Sequence, residues 1–232
     1  MSAFLFPPAP VPGVAVQGEA AAYPVHRIFC VGRNYAAHAA EMGVAVDREA
    51  PFYFTKSPHA VLQSGGTLPY PPGTDNFHYE MELVVALGTP AFRMNAEQAM
   101  GAVYAYGCGL DMTRRDLQLK AREKQRPWDL GKDVEGSAVL APLTRAGEMA
   151  PPERQRIWLA VNGDVKQDAH LSDLIHSVPE IIADLSQYYH LQPGDLIMTG
   201  TPAGVGPVVP GDVIEGGIDG LAPISLTIGA PE

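Results

Sequence analysis

His78-Tyr79-Glu80-Met81-Glu82-Leu83-Val84-Val85-Ala86-Leu87 decides how the rest of this chain is read. β-branched and apolar residues run on from its polar start and Gly88 ends it, the pattern of a β-strand. Alternate side chains of a strand share a face. His78, Glu80 and Glu82 therefore point one way, and Tyr79, Met81 and Leu83 the other. Two carboxylates on one face of an apolar strand repel each other, and burying them is costly unless positive charge lies between them. A hard divalent cation would serve, since Mg²⁺ and Ca²⁺ prefer carboxylate oxygens and Mn²⁺ also suits them. The alternative is an exposed edge strand with two solvated glutamates.

Upstream, residues 1–24 are rich in Pro, Ala and Val and read as an extended arm with one short strand. Residues 25–232 read as one domain. Arg27–Gly32 is a short buried strand. Asn34, the following alanines and Gly43 predict a helix with Asn34 as its cap and Gly43 as its stop. His38 and Glu41, three apart, share a face of that helix. A carboxylate beside an imidazole fixes its tautomer and raises its basicity, which makes His38 a candidate general base; a plain surface pair is the alternative. Phe52–Lys56 is an aromatic strand ending in a cation.

Downstream, Ala102–Leu110 reads as a buried strand that delivers Asp111. A basic helix follows, with Thr113 and Asp116 as a capping-box-like start. Pro127-Trp128 stops it, and Lys132 stands in the glycine-flanked loop beyond. Residues 142–153 read as a polar loop. Asn162-Gly163 is a type I′ hairpin turn after the strand Ile157–Val161. A helix is expected over about Val178–His190, with Pro179 in its first turn. Thr199–Pro207 is a rigid glycine–proline loop able to bring backbone close to a ligand. It has no Walker lysine or GxGxxG pattern, and the chain has no GxSxG, so nucleotide-binding and serine-hydrolase signatures are absent.

The chain has 232 residues, enough for one large domain with a sizeable core, and a formal net charge of −10. That charge argues against nucleic acid or an anionic membrane as partner. An anionic substrate would need a local positive site, from a metal or a few arginines. Cys30 and Cys108 lie far apart without zinc spacing and suit a reducing cytoplasm. No apolar run is long enough to span a bilayer, and the N-terminus lacks a basic secretory region.

Taken together, Gly32-Arg33-Asn34-Tyr35-Ala36-Ala37-His38 with Glu41-Met42, His78-x-Glu80-x-Glu82-Leu83, Leu110-Asp111-Met112-Thr113-x-Arg115-Asp116-x-Gln118, Pro127-Trp128 with Lys132, Val161-Asn162-Gly163 and Gly200-Thr201-Pro202-x-Gly204-Val205-Gly206-Pro207 resemble the fumarylacetoacetate hydrolase family, in the family's order. The resemblance implies an α+β, mostly β fold: a mixed β-sandwich roll with a few short helices, commonly a homodimer. It implies a metal triad of Glu80, Glu82 and Asp111 for Mg²⁺ or Mn²⁺, a catalytic His38–Glu41 dyad and a catalytic Lys132. Arg115, Gln118 and Thr201 fall where the family contacts substrate. Members often carry His where Tyr79 stands, Lys-Pro where Lys56-Ser57-Pro58 stands, and a small residue then Phe where Asp133 and Val134 follow Lys132. An acidic Asp133 could raise the lysine's pKa, and loss of the aromatic could widen the pocket.

The activity implied is hydrolysis of a carbon–carbon bond beside a 2-oxo acid, an acylpyruvate. Pro24–Tyr35 and Leu68–Pro72 resemble members that act on fumarylpyruvate in gentisate-type aromatic degradation. The carbon leaving group departs as an enolate, so His38 would take a proton from water and Lys132 would donate to the developing oxyanion. Fumarylpyruvate has a carboxylate at each end, and Arg33 and Arg115 are candidates for the distal one. Arg115, within one helical turn of Asp111, is the better placed. The same scaffold hosts decarboxylases and isomerases acting on oxaloacetate or homoprotocatechuate-pathway substrates. A non-enzymatic metal-binding module would need no His38–Glu41–Lys132 set.

Overall fold

Every residue of the strand Met81–Leu87 is buried. The strand runs antiparallel between Asp195–Met198 and Val103–Asp111, so it lies in the middle of a sheet and not at an exposed edge. The computed structural model describes residues 4–43 and 48–232. Its main sheet has eight strands. Phe52–Lys56, Arg27–Gly32, Asp195–Met198, Met81–Leu87, Val103–Asp111, Ala138–Leu140 and Val61–Gln63 follow one another across it, with Thr144–Arg145 paired beside Val103–Asp111. Its two end strands are separated in the chain by a short turn that includes Pro58–Ala60. The sheet therefore curls until its ends are sequence neighbours, and residues of distant strands meet inside the curl.

A second, five-stranded sheet holds Asp164–His170, Arg156–Val161, Val213–Ile218, Ile224–Pro231 and Thr67–Tyr70 in that order. Leu83, Val85 and Leu87 from the main sheet pack with Ile157, Leu159, Ile214 and Leu226 from the second, and with Ile181, Ile182 and Leu185 of the helix Val178–Tyr188. Each such side chain contributes about 1.5–3 kcal/mol by leaving water. On the opposite face Val84 and Ala86 join Ile28, Cys30, Leu196 and Met198, covered by Val14, Val16 and Tyr23 near the N-terminus. With both faces covered, the strand needs apolar residues at successive positions, which explains Leu83 to Leu87. The result is the expected mostly β architecture, a rolled sandwich of two sheets with few helices.

The structure corrects several local readings. The strand is not continuous from His78: Phe77–Tyr79 belongs to a small sheet with Thr113–Arg114 and Gly206–Val208, and the ladder resumes at Met81. Asn34 does not cap the helix Ala36–Glu41, whose first flanking residue is Tyr35. Its side chain spans instead to His176 and Thr199. Thr113 and Asp116 form no capping box on Arg115–Glu123; Asp116 accepts from Thr74 and Asp75, tying down the preceding loop. The helix from Val178 ends at Tyr188, two residues early. The loop at 142–153 contains Thr144–Arg145 and the short turn Ala146–Glu148. Asn162 and Gly163 do have positive φ, 51° and 85°, as a type I′ turn requires. In the N-terminal segment Gly13–Val14 pairs antiparallel with Tyr23–Pro24, while residues 1–3 of the expected arm lie outside the described residues.

Candidate active site and metal centre

Strand register assembles the carboxylates. Glu82 lies opposite Gly109, and Asp111, two residues further on, emerges on the same face. The Asp111 N–H donates to the Glu80 carbonyl at 2.9 Å, which fixes the crossing. Ligand oxygens of Glu80, Glu82 and Asp111 lie within 4.8 Å of one another, and all three residues are buried. His78 stays out of this group; its ring meets Asn76 at 2.8 Å and Arg115 at 3.5 Å. Burial, then the charge of Arg115, pushes its pKa down to about 4, so it is neutral at pH 7.

Three protein cations reach the cluster. Lys132 Nζ donates to Glu80 Oε2 and Asp111 Oδ2, each at 2.7 Å, and to Thr113 Oγ1 at 2.8 Å. Lys56 Nζ lies 2.8 Å from Asp111 Oδ1, an ion pair short of hydrogen-bond alignment, and donates to Ser137 Oγ at 2.9 Å. Arg115 donates to Glu80 and to Gln118. Burial would raise the Glu80 carboxyl, but Lys132 and Arg115 outweigh it and hold it well below the usual carboxylate range. Burial would likewise lower Lys132, and Asp111 with Glu80 raises it instead.

Glu82 differs. Its hydrogen bond comes from the backbone N–H of Gly200 at 2.8 Å, and among the described residues no cation pairs with it. Burial first, then Asp111 and Glu80, pushes its carboxyl well above the usual range. A buried carboxyl with no cation paired directly to it, beside two others and facing a recess, favours a positive charge placed against it. Oxygen-only donors of this kind suit a hard divalent cation, and Glu80, Glu82 and Asp111 could hold one.

The helix Ala36–Glu41 brings His38 Nδ1 to 3.0 Å from Glu41 Oε2, with the imidazole buried. The glycine–proline loop holds this pair as well as Glu82. Gly204 N–H donates to Glu41 at 3.1 Å, and Tyr79 Oη–H donates to the Gly204 carbonyl at 3.1 Å. Tyr79 thus points away from the carboxylates, as alternation requires. Gly200 and Gly204 have φ of 101° and 96°; a Cβ on Gly204 would stand 2.0 Å from the Lys166 carbonyl oxygen. The loop expected to bring backbone close to a ligand brings its amides to two carboxylates, Glu82 and Glu41, and places Thr201 in the recess wall. Thr201 accepts from Gln167 at 2.8 Å, and Gln167 also accepts from Met81 N–H at 3.0 Å, linking the loop to the triad's strand.

His38, Glu80, Glu82, Arg115, Gln118, Lys132, Thr201 and Arg33 all line one recess of about 30 Å³; Asp111 lies behind its wall. The recess adjoins an outer cleft of about 500 Å³. Of the two candidates for a distal carboxylate, Arg115 donates to Glu80 and Gln118 and lies near His78, whereas Arg33 stands against aromatic rings. Asp133 does not act on Lys132 as expected; it turns to accept from Ser57 N–H at 2.8 Å. An aromatic ring does stand by Lys132, supplied by Phe54 with its centroid 4.9 Å away.

Sequence reasoning missed Lys56, Ser137, Gln167 and Arg122. Lys56 carried the one faint signal, a cation ending an aromatic strand. Arg122 shares the helix Arg115–Glu123 with Arg115 and Gln118, Gln167 arrives from the second sheet, and Ser137 from the residue before Ala138–Leu140.

A rolled mostly β sandwich with an inward-facing carboxylate triad and an adjacent His–Glu pair defines a carboxylate-type metal-site protein built on the expected fold. The profile described as "Fumarylacetoacetate (FAA) hydrolase C-terminal" matches residues 27–228, and the chain belongs to the fumarylacetoacetate hydrolase family. It is 56% identical over 193 residues to a fumarylpyruvate hydrolase of Ralstonia sp., covering 82% of this chain and 100% of that protein. It is 40% identical over 205 residues to the mitochondrial oxaloacetate tautomerase of Homo sapiens, covering 88% of this chain and 92% of that one. The crystal structure of fumarylpyruvate hydrolase from Pseudomonas aeruginosa in complex with Mn²⁺ and pyruvate superposes with a TM-score of 0.95 at 44% identity, covering 98% of this chain and 100% of that chain.

Proposed function

We propose that this protein is a divalent-metal-dependent hydrolase that cleaves fumarylpyruvate with water to fumarate and pyruvate. The observation that carries the reading is the buried Glu80–Glu82–Asp111 cluster lining or backing the same recess as the His38–Glu41 pair. Relatives named for fumarylpyruvate hydrolysis support the substrate. Charge balance supports it too. With all three carboxylates ionised, Lys56, Lys132 and Arg115 balance the cluster, and a divalent ion with a dianionic substrate keeps that balance.

Glu80, Glu82 and Asp111 would hold Mg²⁺ or Mn²⁺. When bound, the ion supplies Lewis-acid charge that favours the enolate form of a 2-oxo acid. The protein's groups do the rest. Glu41 occupies His38 Nδ1, which leaves Nε2 to take a proton from the attacking water. Gly204 holds Glu41 from behind, fixing the orientation of the ring. Lys132 keeps its proton and faces the recess, and it donates to the developing oxyanion once it releases one of its three present acceptors. Arg115 steadies Glu80, while Gln118 and Thr201 offer the substrate polar contacts from the recess wall.

The purified protein with Mg²⁺ or Mn²⁺ should abolish the enol absorbance of fumarylpyruvate and release fumarate and pyruvate in equal amounts. Turnover of oxaloacetate alone, by tautomerisation or decarboxylation, would replace this reading with the second one, which the 40% identical tautomerase favours. We read residues 25–232 as the catalytic domain and 1–24 as its arm. Cytoplasmic location is supported by the buried free thiols Cys30 and Cys108. No helix among the described residues is long and apolar enough to cross a membrane. A homodimer is the expected assembly.

A further inference from the structure

The recess beside the triad is narrow, about 30 Å³, and opens onto the outer cleft of about 500 Å³, so an acylpyruvate held by its 2-oxo acid end at the triad extends its distal part towards that cleft. Arg33, Phe54, Arg122, Trp128 and Lys132 line both spaces and mark the passage between them.

The cations along this route fall into two kinds. Lys132 and Arg115 are held by carboxylates. Arg33 and Arg122 have no carboxylate partner among the described residues. Arg33 lies over the rings of Phe52 and Trp128, 5.6 and 5.8 Å from their centroids, and Arg122 donates to the Met42 carbonyl at 3.2 Å. Burial and the charge of Arg122 both disfavour a charged Arg33. Two guanidinium groups with no carboxylate partner among the described residues, held near each other in a partly buried wall, repel unless an anion comes between them. Arg33 also has φ of 61°, a left-handed conformation unfavourable for a residue with a Cβ. The backbone thus turns at the end of the strand Arg27–Gly32 and sends this side chain into the passage.

We propose that Arg33 and Arg122 form the subsite for the distal carboxylate of the substrate, with Phe52 and Trp128, set edge to face, as an aromatic wall beside it. The proposal rests on the acylpyruvate reading of the site. It makes the protein selective for dianionic over monoanionic acylpyruvates, and it assigns that selectivity to a residue, Arg122, outside the family motifs. A guanidinium–carboxylate pair is a charge-assisted, geometrically matched contact.

The test compares fumarylpyruvate with acetylpyruvate in the metal-loaded wild type, Arg33→Gln and Arg122→Gln. The ratio of their kcat/KM values should fall roughly 10- to 100-fold in each variant, mainly through KM for fumarylpyruvate. An unchanged ratio in both variants overturns the subsite. Either variant alone carries the test if the other melts early. A second readout needs no turnover: quenching of the tryptophan fluorescence on titration with fumarate and with crotonate, its monoanionic counterpart. The wild type should prefer fumarate, and both variants should lose that preference. Absence of any preference in the wild type also overturns the subsite. A wild type that prefers fumarate through Arg33 and Arg122 but cleaves neither acylpyruvate would instead remove the hydrolase reading and leave the anion site standing.

Discussion

The carboxylate cluster has a closed side and an open side. On the closed side, Glu80 and Asp111 are met by Lys56, Lys132 and Arg115, with ion-pair distances of 2.7–2.8 Å for the lysines. On the open side, Glu82 has the amide of Gly200, and next to it His38 and Glu41 have the amide of Gly204. Glu82 and His38 are as buried as the closed side, so for them the difference is in what cancels the charge. Permanent protein cations hold the closed side in one geometry. Backbone amides orient the open side without neutralising it, which leaves its charge and its basicity available to a ligand. Buried ion pairs add little net stability over apolar packing, but breaking one of them is costly. Mutations on the two sides should therefore show up in different measurements.

The largest effect is expected on the open side. His38→Ala should lower turnover by roughly 10²- to 10⁴-fold, the usual contribution of a positioned base, with metal binding and melting temperature close to wild type. Steady-state rates beside a thermal melt would decide this, and a variant that turns over normally would reduce the His38–Glu41 pair to a structural contact.

Next comes the closed side. Lys56→Met leaves Asp111 short of a counter-charge and takes a donor from Ser137 and the Met112 carbonyl. Stability should fall by about 3–5 kcal/mol, read as the midpoint shift in urea unfolding. Lys56 does not line the recess, so a large loss of turnover with undiminished stability would contradict the division drawn here.

The smallest effect has the opposite sign and sharpens the contrast most. Glu82→Gln removes a buried carboxyl that burial and its acidic neighbours disfavour and that no cation among the described residues pairs with, so the metal-free protein should be as stable as wild type or more so. Mg²⁺ or Mn²⁺ at 100 times its dissociation constant should stabilise the wild type by about 2.7 kcal/mol, and this gain should vanish in Glu82→Gln. Melting curves with and without metal measure both. A metal-free Glu82→Gln protein that unfolds as easily as Lys56→Met would mean the two sides are equivalent.

The pieces of this protein that depend on local periodicity were legible in the chain. Strand alternation put Glu80 and Glu82 on one face, helical spacing put His38 against Glu41, and the Asn162-Gly163 turn and the glycine–proline loop followed from backbone preference. These features need only the residue's own neighbours, and the pattern repeats every two residues in a strand or every three to four in a helix. The family motifs added Asp111 and Lys132 to the same site.

Tertiary structure alone decided the rest. The register of Val103–Asp111 against Met81–Leu87 sets Asp111 beside Glu82, and a shift of one residue would send it to the opposite face. The curl of the main sheet carries Lys56 from an end strand into the site, and the break at Glu80 sends His78 to another sheet. Which partners the arginines take was equally hidden: Arg115 finds Glu80, while Arg33 finds aromatic rings and, among the described residues, no carboxylate. Charge pairing depends on which side chains distant parts of the chain bring within a few ångströms, and sequence spacing does not contain that distance.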